Sequence, residues 1–342
     1  MITSEHCSLL GHNTFGIAAR ARCLVEYDSA EELQAFIRQR NEQMDHTPLL
    51  HIGGGSNLLF TKDFEGTILH SRIKGIELLS DADRKVEVRV GAAVVWDDFV
   101  DYAVHHGWYG LENLSLIPGE VGASAVQNIG AYGAEAKDVI SLVETIDLQT
   151  GTPRQFTNDE CQYAYRHSIF KTRLRGRYAV THVRFCLSRD FEPNLEYGGL
   201  RLALSKNGIE PNQLDAALLR ATIIGIREGK LPDPKVLGNA GSFFTNPIVL
   251  RNEYNRIARE FPEVPHYEVD TLHVKIPAGW LIEQCGWKGK ALGRAGVYEK
   301  QALVLVNLGG ATGEEIVQLC RAIQTSVRER FQIDIQPEVN FI

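Results

Sequence analysis

Apolar and polar positions alternate along some short segments of the chain and recur at helical spacing along others. The strict alternation of residues 86–90 predicts a half-buried strand. Helical spacing predicts a helix behind the capping box at Ser29, a second at 96–106, and a third from the capping box at Thr312 to about Arg330. Apolar runs predict further strands at 23–27, 48–52, 143–151, 178–187, 302–306 and 333–342.

A further helical pattern begins at Pro211 and ends at the segment 231–234, which contains two prolines. Arg220 and Arg227 lie on one side of this helix, and Lys230 follows Arg227 three residues later. The change of pattern predicts a domain boundary. On another side, the expected buried stripe consists of Leu214, Ala217, Leu218, Ala221 and Ile224.

The stretch 116–133 has an unusually bare backbone, with four glycines, three alanines and one serine. Glycine permits backbone angles closed to other residues and lets peptide N–H groups approach a bulky ligand. Pro118-Gly119 is typical of a turn. Because successive N–H groups form anion-binding nests, the stretch predicts a shaped loop against a phosphate-bearing cofactor. A glycine-rich surface turn is the alternative, although such turns are usually shorter and more polar.

A second glycine run, 53–57, directly follows the predicted strand 48–52, a position at which α/β proteins commonly bind phosphates. The dinucleotide fingerprint G-x-G-x-x-G is absent, because position 58 is leucine. Gly229-Lys230 is followed by leucine rather than by the serine or threonine of a P-loop. A Rossmann or P-loop protein is therefore disfavoured.

Length, charge and cysteine content exclude several classes of protein. A chain of 342 residues is long enough for two or three domains. Its net charge of −7 argues against non-specific nucleic-acid binding but is compatible with an anionic small substrate. The cysteines are scattered without a C-x-x-C pair, so neither a cysteine metal site nor a disulfide framework is expected. No signal peptide or membrane-length apolar run is seen, and a cytoplasmic protein is expected.

Several short motifs occur in order across nearly the whole chain. They are Asn13-Thr-Phe-Gly16, Gly53-Gly-Gly-Ser-Asn57, Ile117-Pro-Gly119 with Gly122, Gln127-Asn-Ile-Gly-Ala-Tyr-Gly133, Tyr165-Arg166 with Ser168-Ile-Phe-Lys171, Leu231-Pro-Asp-Pro-Lys235, Gly238-Asn-Ala-Gly-Ser-Phe-Phe244 and Pro337-Glu338. Together they resemble the bacterial UDP-N-acetylenolpyruvoylglucosamine reductases, the MurB family of peptidoglycan synthesis. Any one motif would be weak, whereas the ordered set is specific.

The resemblance implies an α+β architecture in three parts. Two α+β subdomains of the FAD-binding PCMH, or vanillyl-alcohol-oxidase, type hold FAD, and a third α+β domain binds the substrate. The implied ranges are 1–70, completed by the C-terminal strand 332–342, then 71–215, and finally 216–331. Tyr197-Gly198 resembles the tyrosine loop of the family's first type, so Tyr197 is expected to fold over the substrate.

The resemblance also implies the cofactors. FAD is expected to be non-covalent, because Ser56 stands where related flavoproteins attach flavin through a histidine, and His51 lies before the turn. NADPH is the implied co-substrate; it is expected to enter the substrate pocket and leave again, a ping-pong order. No metal is expected, and a monomer is the family-level expectation. The residues expected to bind the cofactor are Gly53, Gly54, Gly55, Ser56, Asn57, Leu58, Ile117, Pro118, Gly119, Gly122, Ala123, Ser124, Asn128, Gly130, Tyr132 and Gly133.

The implied reaction passes hydride from NADPH to the flavin N5 and then to the enolpyruvyl methylene carbon of UDP-N-acetylglucosamine enolpyruvate, giving UDP-N-acetylmuramate. Electrons move towards the carboxylate, so the site needs a cation there and an acid beside the α-carbon. The resemblance assigns Arg166 as the cation, Ser242 as the proton donor and Glu338 as a further active-site residue. The implied substrate contacts are Tyr132, Tyr165, Tyr197, Arg227, Lys230, Asn246 and Gln301, with Arg227 and Lys230 expected at the diphosphate.

Other interpretations stay open from the sequence. Another FAD-dependent oxidase or dehydrogenase of the same wider fold would need neither Ser242 nor the basic pair at Arg227 and Lys230. A non-catalytic flavin- or nucleotide-binding module would have no reason to contain Arg166, Ser242 and Glu338 together. Each side chain also has a plainer interpretation: Ser242 in a helix-capping turn, Arg166 in a surface salt bridge, and Glu338 as a solvated charge.

Overall fold

The computed structural model of the chain describes residues 1–197 and 199–342. Strands and helices alternate along these residues. The strands are β1 (Ile2–Ser8), β2 (Arg20–Tyr27), β3 (Leu49–Ile52), β4 (Leu58–Leu59), β5 (Phe64–Ser71), β6 (Ile76–Ala82), β7 (Lys85–Gly91), β8 (Gly130–Ala131), β9 (Ala134–Glu135), β10 (Ile140–Asp147), β11 (Pro153–Thr157), β12 (Tyr178–Ser188), β13 (Gly238–Ser242), β14 (Ile248–Leu250), β15 (Tyr267–Glu268), β16 (His273–Lys275), β17 (Ala291–Leu292), β18 (Ala295–Val297), β19 (Val304–Asn307) and β20 (Asn340–Phe341).

The α-helices are distributed along the whole chain. They are α1 (Ala30–Glu42), α2 (Trp96–His105), α3 (Val121–Gln127), α4 (Leu200–Lys206), α5 (Ala216–Lys230), α6 (Arg251–Glu260), α7 (Ala278–Gln284) and α8 (Gly313–Phe331). Short 3-10 turns lie at Leu10–His12, Glu112–Leu114, Ala136–Asp138, Asp159–Cys161, Ile169–Lys171 and Pro211–Gln213. Among the described residues, no helix combines the length and apolarity that crossing a membrane requires.

The elements with the clearest sequence signals are confirmed. The strand expected at 86–90 is β7, in which Val86, Val88 and Val90 are buried and the positions between them are not. Helix α8 begins with the predicted capping box: the Thr312 side chain accepts from the Glu315 N–H, and the Glu315 side chain accepts from the Thr312 N–H.

The chain divides into two compact units. The first unit consists of residues 1–7, 21–54 and 65–229, and the second of residues 8–20, 55–64 and 230–342. The predicted division into three parts, with boundaries at 70, 215 and 331, stays a prediction.

Two main sheets form the first unit. In the four-stranded sheet β1-β2-β5-β3, β3 and β5 run parallel, with Ile52 opposite His70. Helix α1 contributes Leu33 and Ile37 to the core beneath this sheet. The five-stranded sheet β11-β10-β12-β7-β6 is antiparallel and shares a larger core with α2 and α3. This second core positions the glycine-rich stretch 116–133.

Helix α5 corrects one prediction, because its buried stripe is shifted from the expected one. The buried residues are Ala216, Leu219, Arg220, Thr222 and Ile223, whereas Leu218 is 37% exposed. The neighbouring pairs Leu218-Leu219 and Ile223-Ile224 make two stripes almost equally apolar, so periodicity alone does not choose between them. Leu219 and Ile223 pack with Leu200 of α4, and this contact selects the observed stripe.

Arg220 is buried within that stripe because two acidic residues of α2 neutralise it. Its guanidinium makes bidentate hydrogen bonds to Asp97, at 2.8 and 3.0 Å, and a third to Asp101 at 3.1 Å. A paired charge can be buried where an unpaired one cannot. Arg220 therefore anchors α5 to α2, and of the three basic residues noted on this helix only Arg227 and Lys230 stay candidates for binding the diphosphate.

The second unit contains the four-stranded sheet β13-β19-β18-β17, the three-stranded sheet β14-β16-β15, and a parallel pair of β20 with β4. Helix α8 packs on β18 and β19 of the larger sheet, and α7 packs on α8. Trp280 of α7 lies against Phe261 and Phe331, with ring centroids 5.5 and 5.6 Å away. The strand predicted at 333–342 is wrong in extent, because only Asn340–Phe341 is a strand. Before this strand, Pro337 forms an isolated antiparallel bridge with Phe244.

Candidate active site

Two glycine-rich segments of the first unit lie against each other. A Cβ added to Gly53 would come 3.2 Å from Oε2 of Glu120 and 3.5 Å from Cβ of Ala123. A Cβ added to Gly54 would come 3.6 Å from Cα of Gly119. The two segments therefore lie in van der Waals contact with little side-chain bulk between them, and such an arrangement fits a cradle for a bulky cofactor.

The stretch 116–133 is not one continuous loop, because its residues 121–127 form α3. Alanine and serine are compatible with a helix. Glycine is required at position 122 because an added Cβ would lie only 2.9 Å from Cβ of Ala92. The N–H groups of Val121 and Gly122 donate to the carbonyls of Val94 and Ala92, both at 2.9 Å. The anion nest predicted for this stretch therefore does not include these two N–H groups.

The segment after α3 is held by Asn128, which adopts a left-handed conformation with φ 46°. Its Nδ2 donates to Oε2 of Glu135 at 2.9 Å and to the Ala164 carbonyl at 2.8 Å, and its Oδ1 accepts from the Lys137 N–H at 3.0 Å. Asn128 thus joins the β8–β9 hairpin to the segment that contains Arg166.

Arg166 points to this hairpin. Its Nη2 donates to the Gly130 carbonyl at 2.6 Å, and a Cβ on Gly130 would come 3.0 Å from its Nη1. The Arg166 backbone is left-handed, with φ 54°, and its carbonyl accepts from Nζ of Lys171 at 3.0 Å. The guanidinium carbon lies 5.3 Å from the centre of the Tyr165 ring, within cation–π range. These contacts hold Arg166 against the hairpin and the Tyr165 ring.

Arg227 and Tyr132 lie in the same electrostatic environment as Arg166. Nε of Arg227 donates to the Leu116 carbonyl at 3.3 Å. Burial lowers the pKa of the Arg227 guanidinium, and the positive charge of Arg166 acts in the same direction. Burial raises the pKa of the Tyr132 phenol, with Arg227 acting in the opposite direction. Two partly desolvated cations beside a tyrosine form an environment that favours an anionic ligand.

Tyr197 lies close to the hairpin turn of the same unit. A Cβ on Gly133 would come 3.3 Å from Cβ of Tyr197. The buried side chain of Asn113 donates from Nδ2 to the Tyr132 carbonyl at 2.7 Å and to the Asn194 carbonyl at 2.9 Å. One amide therefore links the turn bearing Tyr132 to the segment bearing Tyr197. Gly198, the second residue of the expected tyrosine loop, lies outside the described residues.

In the second unit, the end of the glycine run meets the C-terminal segment. A Cβ on Gly55, at φ +68°, would come 2.1 Å from the His12 carbonyl oxygen, so only glycine fits there. Nδ2 of Asn57 donates to the Glu338 carbonyl at 3.3 Å, and the Asn340 N–H donates to the Asn57 carbonyl at 3.1 Å. Leu58 opens β4, which pairs in parallel with β20.

Ser242 ends β13 and is exposed. The next residue, Phe243, donates its N–H to the Leu303 carbonyl at 2.7 Å and accepts from the Glu338 N–H at 2.8 Å. Backbone hydrogen bonds therefore connect the strand bearing Ser242 with the segment bearing the half-buried Glu338. Because Ser242 belongs to a strand, the interpretation as a helix-capping serine is wrong. Phe243 and Phe244 are buried, with ring centroids 5.2 Å apart.

Asn246 and Gln301 belong to other segments, and both side chains lie against the first turn of α7. Oδ1 of Asn246 accepts from the Ala278 N–H at 2.9 Å, and Oε1 of Gln301 accepts from the Leu303 N–H at 3.3 Å. A Cβ on Gly279 would come 3.1 Å from Oε1 of Gln301. Lys230 is exposed, as a residue that captures a charged ligand should be.

Sequence reasoning missed several residues that fix the proposed site. Asn113 and Asn239 are buried amides that bridge backbone carbonyls of different segments. His70 lies between Glu120 and Glu26, at 3.2 and 3.4 Å. Asn239 was visible within the 238–244 motif but carried no role there, and the partners of Asn113 and His70 are too distant in sequence to be predicted.

Two family models match the chain. The FAD binding domain model matches residues 21–157, and the model of the UDP-N-acetylenolpyruvoylglucosamine reductase C-terminal domain matches residues 233–342. The two models cover most of the chain without overlapping.

Full-length relatives and a solved structure agree with the models. The chain is 58% identical over 336 residues to the UDP-N-acetylenolpyruvoylglucosamine reductase of Bacteroides fragilis strain YCH46, covering 98% of each chain. It is 47% identical over 330 residues to the enzyme of the same name from Porphyromonas gingivalis strain ATCC 33277, covering 96% of each. The crystal structure of the Thermus caldophilus enzyme shares the fold, with a TM-score of 0.68, 22% identity and coverage of 99% of this chain and 98% of that chain.

Proposed function

The chain belongs to the family of UDP-N-acetylenolpyruvoylglucosamine reductases, and we propose that Arg166, Ser242 and Glu338 carry out its chemistry. It is an oxidoreductase that uses FAD and NADPH to reduce the enolpyruvyl group of UDP-N-acetylglucosamine enolpyruvate, giving UDP-N-acetylmuramate for peptidoglycan synthesis. The observation that supports the residue assignment best is the backbone connection between Ser242 and Glu338 through Phe243.

FAD is held by the two glycine-rich segments in this proposal. Residues 53–54 and 119–123 form the cradle in the first unit, and residues 55–58 follow in the second. When bound, FAD accepts hydride from NADPH and passes hydride to the enolpyruvyl double bond. Ser56 cannot form the histidyl–flavin bond, and the half-buried His51 is engaged with the Tyr27 hydroxyl at 2.7 Å, which supports a non-covalent cofactor. The remaining cofactor contacts are those given by the sequence motifs, from Ile117 to Gly133.

Arg166 binds the substrate carboxylate in this proposal. The carboxylate gains negative charge when hydride reaches the neighbouring double bond, so a fixed cation stabilises this state more than the ground state. Guanidinium suits the role because it stays protonated and can make two parallel hydrogen bonds to a carboxylate. The bond from Nη2 to the Gly130 carbonyl orients the fork.

Ser242 donates the proton to the α-carbon in this proposal, and Glu338 assists. A serine hydroxyl is a weak acid, but the electron-rich carbon formed by hydride addition is basic enough to accept its proton. The exposed position of Ser242 allows substrate to approach, and the hydrogen-bonded strand fixes its backbone. Glu338, one backbone hydrogen bond away from Phe243, polarises the substrate or supports proton delivery.

The UDP-sugar is bound by the remaining basic and polar residues. Lys230 and Arg227 bind the diphosphate, and NADPH uses the same residues before the second substrate enters, giving ping-pong kinetics. The further substrate contacts proposed are Tyr132, Tyr165, Tyr197, Asn246 and Gln301. The proposal includes a three-part division at 1–70 with 332–342, 71–215 and 216–331, and a monomeric, cytoplasmic enzyme.

The assignment is tested by following the two half-reactions separately, without oxygen, in Ser242→Ala. NADPH should reduce the bound flavin within about twofold of the wild-type rate. Reoxidation by UDP-N-acetylglucosamine enolpyruvate should slow by about 10²–10⁴-fold, the range for loss of a general acid. Ser326→Ala is the control, because it removes a hydroxyl of the same unit that has no role in the proposed site: it accepts from the Trp287 indole N–H at 3.0 Å and donates to the Ala322 carbonyl at 2.9 Å. Wild-type reoxidation in Ser242→Ala would remove Ser242 from the mechanism.

A further inference from the structure

The geometry points to Asn239 as a positioning residue: we propose that its side-chain amide folds the strand bulge that presents Ser242 and ties this bulge to the segment after Lys230. The inference rests on the proposed function, because it matters for catalysis only if Ser242 donates the proton. Asn239 is 4% exposed, so its amide is available only to groups within the protein.

The hydrogen bonds of Asn239 go to three different segments. Oδ1 accepts from the Gly241 N–H at 2.9 Å. Nδ2 donates to the Leu237 carbonyl at 2.8 Å and to the Pro232 carbonyl at 3.2 Å. Its backbone N–H donates to the Thr14 carbonyl at 3.0 Å. Both side-chain donors and one acceptor are therefore used, which is nearly the full capacity of a buried amide.

The amide acts where the strand departs from regular pairing. In the ladder of β13 with β19, Asn239 lies opposite Val306 and Ser242 opposite Val304. Between these two pairs, β13 has two residues and β19 has one, so β13 contains an extra residue, which defines a bulge. Bulges re-aim side chains and are frequent beside active sites.

Gly241 provides the backbone angle of the bulge, with φ +67°. Apart from its chain neighbours, no described residue has an atom within 4 Å of a Cβ added there, so backbone conformation rather than space accounts for the glycine. The Gly241 N–H donates to Oδ1 of Asn239. Without that acceptor, the bulge would lose the contact that sets the residue directly before Ser242.

Ser242 is consequently fixed on both sides. The amide of Asn239 holds Gly241 before it, and the ladder bonds of Phe243 to Leu303 and Glu338 hold the residue after it, at 2.7 and 2.8 Å. Proton transfer is sensitive to donor position, and a displacement of 1 Å can reduce a rate by about 10²-fold.

The hydrogen bond to Pro232 connects Asn239 with the segment next to Lys230, the proposed diphosphate ligand. Pro232 belongs to the rigid segment that directly follows Lys230. Because Nδ2 of Asn239 donates to the Pro232 carbonyl, one amide connects the proton donor's strand with the segment leading from the proposed diphosphate ligand. Aspartate could not make this contact, since a carboxylate would face the carbonyls of Pro232 and Leu237 without a proton to donate.

The test compares Asn239→Ala with Asn307→Ala. Asn307 is also a buried amide of the second unit; it donates to the Phe15 and Gly16 carbonyls, at 2.9 and 3.3 Å, and accepts from the Gly309 and Ala311 N–H groups. Both variants should lower the melting temperature. Asn239→Ala alone should slow reoxidation by UDP-N-acetylglucosamine enolpyruvate about 10²-fold, while reduction by NADPH stays within about twofold. Amide hydrogen exchange at Gly241 should rise in Asn239→Ala and stay unchanged in Asn307→Ala.

The outcomes separate this inference from the proposed function. Slow reoxidation in Ser242→Ala with wild-type reoxidation in Asn239→Ala would overturn the role of Asn239 and leave that of Ser242 intact. Wild-type reoxidation in Ser242→Ala would overturn the proposed function itself. Equal slowing in both asparagine variants would also overturn the inference, because general destabilisation would then explain it.

If Asn239→Ala does not fold, a second variant tests whether the bulge positions Ser242. Gly241→Ala leaves the Asn239 amide in place but strains the left-handed residue of the bulge, where an added methyl group has room. Slower reoxidation with unchanged flavin reduction supports the bulge as the element that positions Ser242. Wild-type reoxidation in Gly241→Ala would overturn it.

Discussion

The two units hold their proposed catalytic side chains by different means. In the second unit, Ser242 and Glu338 lie beside Phe243, whose backbone bonds to both neighbouring segments. In the first unit, Arg166 lies on an irregular segment with a left-handed backbone, and side chains fasten the surrounding turns. A backbone ladder survives most side-chain substitutions, whereas a turn held by one amide depends on that amide.

This difference matches the two tasks in the reaction. A proton donor must stand at a fixed point, and a strand provides such a point. In the proposed ping-pong order, one site receives NADPH and then the UDP-sugar, and turns held by a few side-chain bonds would adjust to two ligands at smaller cost than a sheet does. The comparison predicts that substitutions around Ser242 change the rate of the chemical step, whereas those around Tyr132 and Tyr197 change binding.

The largest effect in the first unit is expected at Arg166 itself. Arg166→Gln should slow reoxidation by UDP-N-acetylglucosamine enolpyruvate by about 10²–10³-fold, comparable to the loss of one oxyanion donor. Arg166→Lys should lose less, because it keeps the charge but not the bidentate fork. The measurement is stopped-flow absorbance of the oxidised flavin band.

Arg154→Gln is the matched control for Arg166. Arg154 is an arginine of the first unit whose guanidinium lies over Phe156, at 4.3 Å, and takes no part in the proposed site. Its replacement should leave both half-reactions within about twofold of wild type. Should Arg166→Gln reoxidise as fast as Arg154→Gln, the first unit would not supply the cation, and the comparison would fail.

A smaller, binding-type effect is expected at Asn113. Asn113→Ala removes the bonds to the Tyr132 and Asn194 carbonyls, at 2.7 and 2.9 Å, and should raise KM for the UDP-sugar about tenfold, with kcat reduced less. The expected factor corresponds to about 1.4 kcal/mol, close to one net hydrogen bond. Steady-state kinetics at saturating NADPH would measure it.

Asn158→Ala is an equivalent deletion elsewhere in the first unit. Nδ2 of Asn158 also bridges two carbonyls, those of Lys137 and Ile140, at 2.8 and 2.7 Å. It should lower the melting temperature as much as Asn113→Ala does and leave KM unchanged. If both variants raised KM equally, the Asn113 contact would be structural only, and the proposed adjustment of the first unit would have no support at this position.

Local sequence signals predicted the elements well where one residue pattern had one solution. The capping box of α8 and the alternation of β7 are complete within a few residues, so no distant contact is needed to interpret them. The prediction of the buried stripe of α5 was wrong because Leu218 and Leu219 are equally apolar, and packing against Leu200 of α4 determines that Leu219 is buried. The burial of Arg220 depends on Asp97 and Asp101, more than 100 residues away in sequence.

The candidate site shows the same limit. Arg166, Ser242 and Glu338 could be proposed as catalytic residues because their neighbouring residues form recognisable motifs, but no motif indicates which residues hold them in place. Asn239, which is proposed to position Ser242, and Asn113, which links the turns bearing Tyr132 and Tyr197, donate to carbonyls, which any residue could supply. A carbonyl partner leaves no trace in sequence, so these roles become visible only when the backbone is folded.

The smallest expected effect concerns two histidines of the first unit that respond oppositely to pH. His51, on β3, is half-buried and hydrogen-bonded to Tyr27, and desolvation lowers the pKa of its imidazole to about 3. His70, on β5, lies between Glu120 and Glu26, and its hydrogen bond to Glu120 raises its pKa. His70 thereby fixes Glu120, the residue that faces Gly53 in the proposed cradle.

The sign of each contribution to stability follows from linkage. The unfolded chain protonates His51 near its ordinary pKa of 6.5 and the folded protein does not, so stability falls as pH drops from about 6.5 towards 3. His70 keeps its proton to higher pH in the folded protein than in the unfolded chain. Its contribution to stability is therefore complete below about pH 6.5 and is lost as pH rises through its folded pKa.

His70→Gln should therefore lower the free energy of unfolding most at pH 6 and below, by about 2 kcal/mol for a hydrogen bond to a charged group, and by progressively less above pH 7. Urea unfolding of wild type, His70→Gln and the exposed-site control His46→Gln at several pH values measures the difference. If the free energy of unfolding lost in His70→Gln instead grew with pH, His70 would be neutral in the folded protein. Glu120 would then lack a positively charged partner in the proposed cradle.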